Sequence, residues 1–205
     1  MRTEKPIIFS GPMVRAILDG RKTQTRRVVK YEVDFLGGSG DSPDDPRNWG
    51  FEDCENGGWW TLRCDNQDGY TNELPSPFQI GDVLWIKETT YAPPKPLKNC
   101  LGYVADGDHP HDRPYRKVPS IFMRRVAARI FLRVTGVRAE RLQEISDDDC
   151  KAEGIGSAPM LYRRREMFRG LWDSLNAKRG YPWSSNPWVW AYTFKIERPD
   201  DEAGP

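Results

Sequence analysis

Three side chains of different chemistry fall close together in the run Gly20-Arg21-Lys22-Thr23-Gln24-Thr25-Arg26-Arg27: Lys22, Thr25 and Arg27. A lysine taken out of water becomes a base, and a threonine hydroxyl beside a base becomes a nucleophile. A guanidinium grips a carboxylate, a phosphate or a polar carbonyl. Together they describe a pocket for a polar or anionic ligand. The same run also reads as a solvated edge strand guarded by charge.

The flanking elements must decide between these readings. Residues 13–19 predict a short helix, with Met13, Ala16 and Ile17 at i, i+3 and i+4. Ser10 stands at its N-cap position, Pro12 in its first turn and Gly20 at its C-cap. Beyond Gly20 the chain alternates as a strand, Lys22, Gln24 and Arg26 on one face and Thr23, Thr25 and Arg27 on the other. Lys22 and Thr25 then point apart, so a bulge or the bend leaving Gly20 has to bring them together.

A second candidate half-site lies far along the chain. Ile145-Ser146-Asp147-Asp148-Asp149 opens a short helix with Ser146 as N-cap and Asp149 at the capping-box position, and Gly154 closes it. Glu153 thus sits at the negative end of the helix dipole, against local preference.

Composition limits the classes of function. The 205 residues carry Lys+Arg 31 against Asp+Glu 30, so basicity makes only a local case for nucleic acid. One domain is expected over 1–198, with a disordered tail at 199–205. No apolar run is long enough to span a membrane, and residues 1–10 lack a signal-peptide core, so a cytoplasmic protein is expected. The cysteines at 54, 64, 100 and 150 lack Cys-x-x-Cys spacing and are expected as reduced thiols.

Between the strand that follows Gly20 and the strand opened by Gly81-Asp82, residues 34–78 read as an insertion. It holds a β-hairpin around Asn56-Gly57, whose Trp59 and Trp60 either stack on a base or pack on the body of the fold. Glu88 closes the strand after Gly81-Asp82, facing the pocket or its rim. Residues 129–137 alternate as a half-buried strand, and 189–197 form the last strand. Arg125 is a phosphate-contact candidate or a surface cation. Residues 161–178 predict an amphipathic helix whose Arg163, Arg164 and Arg165 contact a nucleic-acid backbone or face solvent. Asp108-His109-Pro110-His111-Asp112 contains metal-ligand types but no separated third ligand, so a solvated loop and no metal are expected.

The run Gly20-Arg21-Lys22-Thr23-x-Thr25-x-Arg27 resembles the signature of the ASCH domain, a small β-barrel related to the PUA RNA-binding domain. It is similar in particular to bacterial N4-acetylcytidine amidohydrolases. The chain as a whole looks like the longer phage and prophage ASCH proteins, through Pro119-Ser120-Ile121-x-Met123-x-Arg125 and Asn186-Pro187-Trp188-Val189-Trp190. The resemblance implies an α+β fold, a PUA-like barrel with flanking helices. It also implies a site of Lys22, Thr25 and Glu153 with Arg27 nearby and no metal; Glu88 and Arg125 are further substrate-binding candidates, and no cofactor is expected. Its partner would be a modified nucleoside or a nucleic acid, RNA ahead of DNA. A non-catalytic RNA- or DNA-binding module using Arg125, Arg163 to Arg165 and the Trp59-Trp60 hairpin, or a nuclease, stands beside the amidohydrolase.

Overall fold

A computed structural model describes residues 3–30, 50–53, 60–65, 71–94, 102–107, 114–156 and 163–197. Its centre is a five-stranded mixed sheet built from β1 (Glu4–Ile8), β2 (Gln24–Val28), β6 (Val83–Lys87), β10 (Phe131–Arg141) and β11 (Trp188–Ile196). The spatial order is β1-β6-β10-β11-β2, with β1 parallel to β6 and the other neighbours antiparallel. Three helices accompany it: α1 (Gly11–Leu18), α2 (Asp147–Ala152) and α3 (Arg163–Asn176). The α+β class expected from the sequence holds. Among the described residues the sheet ends on β1 and β2 with no pairing between them, so the closed barrel is not seen there.

Both faces of the sheet are covered, which explains why β11 is buried on each side. Trp190, Tyr192 and Phe194 pack with Ile7, Leu84, Leu132 and Ile17 of α1. Val189 points the other way, into a second cluster with Phe168 and Trp172 of α3, Cys150 of α2 and Trp183. The Cys150 thiol is free, and burial pushes it up to about 11.

In β10, Leu132 and Val134 are buried on the expected alternation, yet Val137 is buried as well, out of phase. The register with β11 shifts between Val134 and Gly136, and this bulge inserts the extra residue that resets the phase. Helix α1 buries Val14, Ala16 and Ile17, and Gly20 leaves it at φ 69°, as a left-handed C-cap requires.

Between β2 and β6 lies a separate antiparallel sheet of β3 (Gly50–Asp53), β4 (Trp60–Asp65) and β5 (Thr71–Pro75). The expected hairpin is its first pair, Asp53 opposite Trp60, and β5 adds a third strand. A further small sheet orders β8 (Gly102–Tyr103), β7 (Thr90–Ala92) and β9 (Arg116–Val118). Trp59, the segment 108–112 with both histidines, and the tail 199–205 lie outside the described residues.

The turn after α2 is where local geometry matters most. Gly154 has φ 87°, and a Cβ there would lie 3.0 Å from Lys22 Cβ and 3.1 Å from Ala16 Cβ. Gly154→Ala is therefore expected to destabilise by more than the roughly 1 kcal/mol that strain alone costs. Chemical denaturation of the variant beside Gly156→Ala, an open position, checks this.

Candidate functional site

Lys22 precedes β2 rather than belonging to it, and that resolves its relation to Thr25. The amides of Arg21 and Lys22 both donate to the Ala16 carbonyl at the end of α1, so the chain bends there. Lys22 then forms an isolated antiparallel bridge with Glu153, and the Thr23 amide donates to the Ala152 carbonyl. Regular pairing with β11 begins at Gln24, opposite Thr193. The bend frees Lys22 from the strand's alternation, and Lys22 and Thr25, both 3% exposed, line one cleft. The bend leaving Gly20 supplies what the sequence required.

The Lys22 ammonium donates to Glu153 Oε2 at 2.6 Å and to the Glu153 backbone carbonyl at 2.9 Å. Desolvation holds its pKa below the ordinary lysine value. The Glu153 carboxylate offsets part of that, while Arg27 and Arg26 add to the lowering. A buried lysine so placed can give up its proton more easily than one in water.

Glu153 is itself fixed from the other side by Arg26. Arg26 donates Nη1–H to Glu153 Oε1 at 3.1 Å and Nε–H to Glu140 Oε1 at 2.6 Å. Its Nη2 lies 3.3 Å from Asp149 Oδ2 without a hydrogen bond. Arg138 then links Glu140 and Asp149 at 2.7 and 2.8 Å. Lys22, Arg26 and Arg138 thus meet Glu153, Glu140 and Asp149 in one charge-balanced network leading from the cleft floor to the surface. Arg26, at 4% exposed, is its hub.

The sequence offered no role for Arg26 beyond that of a basic residue in an edge strand. The signal was there in its parity: on β2 it faces away from Thr25 and Arg27, towards the carboxylates of α2 and β10.

The cleft encloses about 1140 Å³ and is mostly walled by aromatic and aliphatic side chains, among them Phe9, Phe78, Trp190 and Tyr192. Phe9 lies under two cations, its centroid 5.7 Å from Lys22 Nζ and 5.2 Å from Arg27 Cζ. Phe78 packs edge-on against Tyr192 at 5.1 Å. The Tyr192 hydroxyl shares a hydrogen bond of 2.8 Å with Ser76 Oγ. Burial pushes its pKa up to about 12, against the Ser76 bond and Arg27, so it meets a ligand as a neutral phenol. Arg27 is partly buried and donates Nη2–H to the Ile8 carbonyl at 2.9 Å. Apolar walls with a few convergent polar groups are the usual make-up of a small-ligand site.

The other sequence candidates are placed elsewhere or engaged. Glu88 is 1% exposed and bound in a fork by Arg129 at 2.9 and 3.1 Å, and Arg129 also holds Asp106. It is absent from the cleft lining, as is Arg125, which pairs with Glu4 at 2.7 and 2.9 Å and lies over the Phe131 ring. Arg164 binds Asp147 at 2.6 Å, and Arg165 donates to the Gln143 carbonyl and lies over Trp183. Those contacts fasten α3 to α2 and to the 3-10 turns at Leu142–Glu144 and Trp183–Ser185. Arg163 begins α3 and Trp60 begins β4, their side chains outside the description. Among the described residues no cluster of three or more metal-ligating side chains occurs, and no helix is long and apolar enough to cross a membrane.

No family model and no curated protein matches the chain. Among solved structures, the chain is similar to an ASCH domain from Lactobacillus crispatus JV V101, at 12% identity and a TM-score of 0.42, over 95% of this chain and 79% of that one.

Two stability predictions follow from the network. Arg26→Met strands buried carboxylates without their cation and is expected to cost about 3–5 kcal/mol in urea denaturation, with Arg26→Lys recovering part of it. Asp149 is held down to about 2: desolvation would raise it, but the Ser146 hydrogen bond, Arg26 and Arg138 prevail. A lowered carboxyl contributes stability above its unfolded pKa, about 3.9, and loses it as pH falls towards the folded value. The melting temperature should therefore fall between about pH 4 and pH 2 less steeply in Asp149→Asn than in the wild type.

Proposed function

We propose that this chain is a PUA-like domain of the ASCH type whose cleft hydrolyses an amide on a modified nucleoside, with N4-acetylcytidine as the reference substrate. The observation that carries the reading is the buried Lys22–Glu153 pair on the floor of an aromatic cleft that Thr25 also lines. These three residues are also the ones that the sequence signature implies.

In this reading the acylated base lies between the aromatic walls, its acyl carbon towards Thr25. Lys22 in its neutral form takes the Thr25 hydroxyl proton as the oxygen attacks the acyl carbon. The proton now on Lys22 passes through the hydrogen-bonded Glu153 carboxylate to the departing N4 amine. Neutral Lys22 then takes a proton from the water that attacks the threonine ester, and acetate leaves as the Thr25 hydroxyl is restored. Arg26 holds Glu153 Oε1 so that Oε2 stays on Lys22, and is a positioning residue. Arg27 shapes the pocket beside Phe9. The site needs no metal in this scheme.

Deacetylation of free N4-acetylcytidine, followed by absorbance, tests it. Wild-type turnover and a loss of at least about 10²-fold in Lys22→Ala are expected, the usual size of a general-base contribution. Because the neutral lysine is the active form and its pKa is lowered, the rate should rise with pH to a midpoint below the 10.5 of an ordinary lysine. In Glu153→Gln, which removes the charge that raises Lys22, the midpoint of the residual rate should move lower still. Wild-type protein inert on this and other N4-acylated cytidines would sink the proposal.

A further inference from the structure

The charges lining the cleft are one-sided. Lys22, Arg26, Arg27, Lys30 and Arg179 are cations, and Glu153 is the one carboxylate among the described lining residues. In the whole chain the two signs nearly cancel, at a net charge of +1. The surplus is therefore a property of this cleft.

The interior pair does not account for it. Lys22 and Arg26 are matched by Glu153, and Arg26 also by Glu140 and Asp149 outside the cleft. That leaves Arg27, Lys30 and Arg179. Arg27 donates to a neutral carbonyl. Among the described residues no carboxylate forms an ion pair with Lys30 or Arg179, both of which are exposed at the mouth. Desolvation lowers the Arg27 pKa most; Glu153 and Tyr192 offset part of that, and Arg179 adds to the lowering.

Arg27, Lys30 and Arg179 line one cleft with the same charge, an arrangement that favours an anion between them. Arg179 ends the 3-10 turn Ala177–Arg179 that continues α3, where Gly180 at φ 89° turns the chain back. Tyr181 follows, its carbonyl accepting from Trp172 Nε1 at 2.9 Å, so that Trp172, Arg179 and Tyr181 border the cleft together.

We infer that the cleft takes its nucleoside in phosphorylated form, the base between the aromatic walls near Thr25 and the phosphate at Arg27, Arg179 and Lys30. This rests on the nucleoside reading above and narrows it. A phosphate carried by a mononucleotide and one within a single strand present the same chemistry to these cations.

Calorimetric binding of cytidine, cytidine 5′-monophosphate and a five-residue oligocytidylate at low and at 300 mM KCl tests the inference without any turnover. The monophosphate should bind at least about tenfold tighter than cytidine at low salt, and that ratio should shrink with added KCl. In the double variant Arg179→Gln/Lys30→Gln the ratio should fall towards one. A ratio near one in the wild type, or one unchanged in the double variant, overturns the inference. If the oligonucleotide binds more than tenfold tighter than the monophosphate, the phosphate source is a strand; equal or weaker binding makes it a free nucleotide. Turnover of N4-acetylcytidine and its 5′-monophosphate is measured in parallel. A preserved binding ratio with neither substrate turned over upholds the phosphate end and removes the amidohydrolase chemistry.

Discussion

The buried Lys22–Glu153 pair is the interaction on which the rest of the site depends. Two charges removed from water cost several kcal/mol each by rough reckoning, and their mutual attraction repays that only when the remaining hydrogen-bonding capacity is met. Here Lys22 has a second acceptor in the Glu153 carbonyl, and Glu153 a second donor in Arg26. Arg26 in turn needs Glu140 on β10, so the pair is supported by residues from β2, α2 and the central strand at once. Charge leads outward from Lys22, whose side chain is 2% exposed, to Arg138 at 37%, where solvent takes over.

This network also explains the turn geometry. The helix α2 stops at Glu153 because Gly154 adopts a left-handed conformation that packs directly on Lys22 and Ala16. A side chain at that position would separate the two halves of the site. The unfavourable place of Glu153 at the negative end of α2 is offset by Lys22 and Arg26, whose charges outweigh a dipole term of about 0.3–1 kcal/mol.

Much of the architecture follows from local pattern. The 3.6-residue spacing of α1, the Ser146–Asp149 capping box of α2 and the alternation in β10 each set an element that the structure contains. The bulge in β10 did not show, because it depends on the register with β11 and not on any one residue. Glu88 illustrates the same limit: a carboxylate closing a strand reads alike whether it faces a ligand or an arginine, and its partner Arg129 lies 41 residues away.

The sequence by itself determined the local settings of the candidate side chains: Lys22 and Thr25 after a glycine-capped helix, and Glu153 before a second glycine. Only tertiary structure decided that Lys22 and Glu153, 131 residues apart, form a buried ion pair, because an isolated backbone bridge just before β2 brings them together. It also made Arg26 the hub and drew Arg125, Arg164 and Arg165 into pairs elsewhere. The physical reason is that a charge reads the same in sequence whether it is solvated or buried. Its role is set by desolvation and by the nearest opposite charge, and both are properties of the folded chain.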